Sequence, residues 1–183
     1  MIDMQNKFRD IFLGKKIDKK YKIRKAVPAD ARGIINCMQS VMNEKIYLVS
    51  EYYLLTERGE RERLKDTEDR TLVCEISYDI VGVLTIQRGM YKKNRHTANL
   101  GIAVKSNYRN NKIGTNMIKE ALIWCRDQGI LKVNLEVFSV NVNAIKMYRK
   151  LGFQYEGVRK NQFMINGKYV DDVLMTFFTN ILL

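Results

Sequence analysis

One proline, one histidine and three cysteines among 183 residues exclude several kinds of protein at once. Cys37, Cys74 and Cys125 lie far apart with no C-x-x-C pair, and His96 stands alone. That leaves neither a zinc-finger ligand set nor a disulfide framework; no metal is expected, and the usage suits a reducing cytoplasm. With Pro28 as the single proline and 11 glycines, the chain has no collagen-like or proline-rich tract. No stretch reaches the roughly 18 uncharged apolar residues of a membrane span, and no signal-peptide core opens the sequence. Acidic side chains are also short, 20 against 32 basic ones, for a net charge of +12.

What is present is a chain with 46 % apolar residues, enough for one globular domain with a real core. The basic excess is uneven. Residues 1–25 carry nine basic and three acidic side chains, half of the net charge. Residues 1–20 therefore read as a basic N-terminal arm and 21–183 as a single domain. Such an arm is either a solvated terminus or a lead toward RNA, a ribosome or an acidic protein. The remaining excess suits a polyanionic ligand such as a phosphorylated cofactor.

Hydrophobic spacing lays out the domain. A short strand over 21–26 precedes a helix from Pro28, on which Ile34, Ile35, Met38, Val41 and Met42 recur at helical spacing. The charged run 57–63 reads as a second, exposed helix. Strands follow at 72–76 and 80–86, joined as a hairpin, and another at 97–104. Gly114, Met117, Ile118, Ala121, Leu122 and Cys125 mark an amphipathic helix that Gly129 ends. A strand over 132–137, a helix over 143–151 and two closing strands around Asn166-Gly167 complete a mixed α/β sheet layered with helices.

The segment from Val104 to Thr115 is the most informative. A strand runs into a polar loop that feeds directly into a helix. The N–H groups of such a loop and of the first helical turn lack intrahelical partners and face the positive end of the helix dipole, so a pyrophosphate satisfies them. Arg109 and Lys112 add charge, and Gly114 lets the backbone approach a ligand closely. Neither G-x-x-x-x-G-K-[ST] nor G-x-G-x-x-G occurs in this loop.

Arg109-Asn-Asn-Lys-Ile-Gly114 and the run from Asn141 to Phe153, an N-x-x-A-x-x-x-Y-x-K-x-G-F pattern, resemble the two signatures of the GCN5-related N-acetyltransferase (GNAT) superfamily. Glu156-Gly-Val-Arg159, Asn166-Gly-Lys-Tyr169, Asp171 and Met175 are similar to its ribosomal-protein and polyamine acetyltransferase branches. Lys112 departs from the first signature, standing where the family has a glycine. The resemblance implies an acyl-CoA fold, a splayed mixed β-sheet with helices on both faces, with acetyl-CoA as cosubstrate and a primary amine as acceptor. It implies that the backbone of Ile102, Ala103 and Val104 pairs with the pantetheine arm. The amides of Arg109, Asn110, Asn111, Lys112, Ile113, Gly114 and Thr115 would hold the pyrophosphate. Tyr148 matches the tyrosine that serves the departing thiolate. Asn141 and Asn143 read as helix caps, and Asn141 matches the asparagine beside the pantetheine.

The general base stays open between His96, Glu136 and water. Tyr47, Glu51, Tyr52, Tyr53 and Glu57 either line an amine pocket or pack and solvate the helix pair. The acceptor is a small amine or a protein N-terminus, on a ribosome for instance; free polyamines suit the net charge poorly. A homodimer through the C-terminal hairpin is open, as are two other readings of the same fold: a basic RNA- or ribosome-binding module and a silent acyl-CoA sensor.

Overall fold

The computed structural model describes residues 21–179; the basic arm expected over 1–20 lies outside them. Seven strands form one sheet: β1 (Lys22–Lys25), β2 (Arg70–Ile76), β3 (Asp79–Arg88), β4 (Thr97–Val104), β5 (Lys132–Phe138), β6 (Gln154–Ile165) and β7 (Lys168–Phe178). Their order is β1-β2-β3-β4-β5-β7-β6. Every neighbouring pair is antiparallel except β4 and β5. The described residues also form four α-helices: α1 (Ala31–Met42), α2 (Glu57–Arg63), α3 (Ile113–Asp127) and α4 (Val142–Lys150).

Alternation along the strands distributes the core to both faces. On β2, Leu72 and Cys74 pack with α3, whereas Val73 between them packs with Ile34 and Cys37 of α1. A bulge opposite Cys74 and Glu75 flips the phase of β3, so Ile80 shares a face with Val83, and Val81 with Leu84. The helix ends follow the residues expected of them. Gly129 and Gly152 take φ of +68° and +96°, and Asn166-Gly167 turns the last hairpin with both φ positive.

One topological feature positions the site. Strands β4 and β5 pair only over Thr97–Asn99 with Lys132–Asn134, then diverge. β4 goes on pairing with β3 as far as Val104, and β5 with β7 as far as Phe138. Between them opens a wedge, roofed by the start of α3 on one side and by α4 on the other. The final strand does not close it, because β7 inserts between β5 and β6.

Candidate active site

The wedge holds a cavity of about 650 Å³, lined among others by Ile102, Val104, Gly114, Glu136, Tyr148 and Asp172. Its wall on the β4 side is an unused strand edge. Lys105 N–H donates to Val81 O at 2.9 Å, which fixes the alternation and turns the amides of Ile102 and Val104 away from β3 toward the gap. Ala103, one step out of phase, is paired to β3. Val104 O accepts from Arg109 Nε at 2.8 Å.

At the end of β4 a single 3₁₀ turn, Ser106–Tyr108, leads into the loop before α3. Asn110 and Lys112 both adopt left-handed backbone, with φ of 64° and 59°. That alternation curls successive N–H groups inward as an anion nest. No protein acceptor among the described residues takes the N–H groups of residues 110–115, and no side chain caps α3. Six consecutive donors are thus left for a ligand at the positive end of a 15-residue helix. A Cβ built on Gly114 would stand 3.6 Å from Met147 Sδ and 3.7 Å from Ile102 Cδ1, ordinary contacts. The protein tolerates a methyl there; the space it would take lies between β4 and α4, in the cavity.

Lys112 sits in the left-handed region where a glycine would rest unstrained. This costs about 1 kcal/mol for a residue with a Cβ. Lys112→Gly is therefore expected to raise the melting temperature by roughly 2–4 °C. Differential scanning calorimetry checks this, with Lys112→Ala, which keeps the Cβ, showing no such gain.

Arg109 does not offer its charge to the nest. Its two terminal nitrogens donate to the Glu44 carboxylate at 2.7 and 2.5 Å, and its guanidinium lies 5.1 Å from the centre of the Tyr47 ring. Arg109 thus ties the loop to the end of α1, correcting the expectation of a free cation beside the anion site. Sequence reasoning missed Glu44, whose partner is 65 positions away. Lys112 carries the full charge at the nest.

On the opposite wall, Asn141 caps α4, its Oδ1 accepting from Ala144 N–H at 3.3 Å. Asn143 lies one residue inside the helix and caps nothing, but it lines the cavity beside Asn141. One turn on, Tyr148 is only 6 % exposed, and its ring packs against Phe153, centroids 5.7 Å apart. Its hydroxyl has no hydrogen-bond partner among the described residues and is not sealed from solvent, so it opens into the cavity. Burial pushes the phenol up from its ordinary pKa, so the ring stays protonated through the physiological range. A buried phenol of this kind can give a proton to a thiolate.

The structure brings Glu136 to the cavity and leaves His96 out of it. His96 is exposed in the turn before β4, at the closed end of the wedge, where its carbonyl accepts from the N–H groups of Leu131 and Lys132. Of the acceptor-side candidates from the helix pair, Tyr47 lines the cavity. Tyr53 instead donates to buried Glu60 at 2.8 Å; Arg63, bound to the same carboxylate, ties α2 to Thr71 of β2 at 3.1 Å. Glu57 pairs with Arg32 and Arg61, while Glu51 and Tyr52 face solvent. Two residues that the sequence did not offer as catalytic or binding candidates stand by Glu136: Asp172 on β7 and Arg159 on β6. The signal was an acid in phase with Val170 and Leu174 on β7.

A strand pair that parts to leave one edge free, an uncapped donor nest at its tip and a protonated phenol opposite define an acyl-CoA-dependent transferase. Comparison with known proteins agrees. The profile of the acetyltransferase (GNAT) family matches residues 37–153, and the chain belongs to that family. It is 36 % identical over 117 residues to the L-amino acid N-acetyltransferase AaaT of Escherichia coli (strain K12), covering 63 % of this chain and 72 % of that one. It is 29 % identical over 120 residues to the spermidine N(1)-acetyltransferase of the same strain, covering 63 % and 61 %. A solved acetyltransferase of the GNAT family from Streptococcus pneumoniae superposes with a TM-score of 0.82 at 28 % identity, over 86 % of this chain and 99 % of the other. The chain is an acetyl-CoA-dependent N-acetyltransferase acting on amines, on the mixed splayed sheet that its motifs imply.

Proposed function

We propose that acetyl-CoA lies in the wedge with its diphosphate on the amides of residues 110–115 and its pantetheine along the open edge of β4. The acceptor, a primary amine of a small molecule or of a protein N-terminus, attacks the thioester directly in a ternary complex. The observation that carries this reading is the run of unpartnered N–H donors leading into the cavity that Tyr148 faces.

The chain's residues divide the work by position. Glu136, or water beside it, takes a proton from the ammonium and passes it to solvent. The freed amine forms the C–N bond to the acyl carbon, and the C–S bond breaks. Tyr148 protonates the departing thiolate and regains a proton from the nitrogen, which must lose one as the amide forms. Overall one ammonium and one thioester give one amide, one thiol and one proton. His96 drops out of the scheme because it lies at the closed end of the wedge. The three cysteines are buried free thiols, which supports work in a reducing compartment such as the cytoplasm.

An acetyl-CoA consumption assay over polyamines, aminoglycosides, amino acids and N-terminal peptides tests the reading. With the net charge of +12, N-terminal peptides and singly charged small amines should outperform spermidine at physiological salt. No turnover with any amine would overturn the enzymatic reading, and efficient spermidine turnover the acceptor class.

A further inference from the structure

The far end of the cavity, beyond Tyr148, is built from the three strands β5, β7 and β6, of which β6 and β7 lie outside the stretch that matches the family profile. Arg159 Nη1 bridges two carboxylates there, 3.0 Å from Glu136 Oε1 and 2.8 Å from Asp172 Oδ2. Asp172 is 1 % exposed and still lines the cavity, while Glu136 is largely exposed at its rim. Two anions thus share one cation, and the cluster is left one positive charge short. The hydroxyl of Tyr148, a residue more than nine-tenths buried, has no hydrogen-bond partner among the described residues and opens into the same cavity. Beside the carboxylates stands an aromatic pair, Phe138, the register partner of Asp172, and Phe163. The bulge in β6 between Arg159 and Phe163 brings the Phe163 ring within 4.8 Å of the Phe138 ring.

We propose that Asp172 is a catalytic residue of the acceptor subsite: with Glu136 it binds the ammonium of an acceptor carrying one positive charge on an apolar body, and takes its proton. This rests on the acetyl-transfer reading above and refines it. A buried carboxylate that lacks half its counter-charge is stabilised by an incoming ammonium at short range, far more than surface acids would be. Once a carboxylate has taken the proton of the ammonium, the pair is left with one shared negative charge, which Arg159 compensates. A polyamine brings further charges, for which the cluster holds no second uncompensated carboxylate.

The groups facing Asp172 are Glu136 from β5, Arg159 from β6 and the Tyr148 phenol across the cavity. Asp171, next to it on β7, is held by Lys160 at 2.8 Å. Burial first, then the nearby Glu136 carboxylate, push the Asp172 carboxyl up from its ordinary range, against the pull of Arg159. Activity that needs the ionised carboxylate therefore falls on the acid side through a limb above the usual aspartate range. Removing Arg159 removes the group that favours ionisation, so the limb moves to higher pH.

The test uses the full chain, with 2-phenylethylamine as acceptor. Asp172→Asn should lower kcat/KM for this amine on the order of 100-fold or more, with acetyl-CoA affinity within about threefold of the wild type. Arg159→Gln should move the acid limb of kcat/KM upward. Asp172→Asn within threefold of wild type, or a parallel loss of acetyl-CoA affinity, would overturn the proposal. Should Asp172→Asn fail to fold, the limb of Arg159→Gln decides: a rise supports the assignment and an unmoved limb refutes it. A wild type that acetylates other amines but not 2-phenylethylamine removes the apolar monocation class. One inactive on every amine removes the transfer reading itself.

Discussion

Tyr148→Phe should reduce kcat by roughly 100- to 1,000-fold while leaving the affinity for acetyl-CoA within about threefold. The ring keeps its place, because Phe153 packs on it and the hydroxyl takes no part in packing or in any hydrogen bond among the described residues. Only the proton that meets the thiolate is removed. Fold stability should hardly change, since no buried partner is orphaned by the substitution. Steady-state kinetics beside calorimetric titration separate this outcome from a binding defect. Equal turnover in the two proteins would take Tyr148 out of the chemistry and leave the fold as a sensor.

Gly114→Val should have the complementary effect, raising KM for acetyl-CoA on the order of 10- to 100-fold with a smaller change in kcat at saturation. The first carbon of the new side chain would stand at ordinary contact distance from Met147 and Ile102, so the protein accommodates it. Its branches fill the gap between β4 and α4 and hold a diphosphate off the amides. Losing one charge-assisted hydrogen bond costs about 1.5–3 kcal/mol, and each 1.4 kcal/mol is about tenfold in affinity. Gly114→Ala, with one methyl, should fall between wild type and Val. Equal KM in all three would mean that the diphosphate is held elsewhere.

The two halves of the site differ in how far the sequence reveals them, and the reason is chain distance. The donor nest and the Tyr148 helix are each written in about a dozen consecutive residues. Their spacing, caps and glycine were enough to place them on a strand–loop–helix tip and on a short helix. The order of elements was legible for the same reason, down to the Asn166-Gly167 hairpin. The acceptor end is assembled instead from Glu136, Arg159 and Asp172 on three different strands. They meet only because β7 slots between β5 and β6 and the bulge in β6 sets the register. No local pattern carries that insertion. Arg109 shows the same limit from the other side. Its place in the loop suggested an anion ligand, but a carboxylate on a distant helix end claims the guanidinium. Tyr53 was open between pocket and packing, and the buried carboxylate of Glu60 settles it as packing.

The left-handed backbone at Lys112 joins the two kinds of reading. A lysine in place of the family's glycine is visible in the sequence, and the structure gives the conformation it must adopt. The strain is modest, and the ammonium it brings is, among the described residues, the full positive charge left at the nest once Arg109 is engaged with Glu44. Lys112→Gly thus trades loop strain against charge, and stability and cofactor affinity should move in opposite directions.

The most direct test of the whole account is an amide-resolved NMR titration of the ¹⁵N-labelled chain with coenzyme A. Saturable shifts are expected, centred on the N–H resonances of Asn110 to Thr115, with Ile102 and Val104 following as their open edge gains a partner. If coenzyme A saturates the protein while those resonances stay still and others move, the diphosphate does not sit at the tip of β4, and the assignment of the wedge as the acyl-carrier site is wrong.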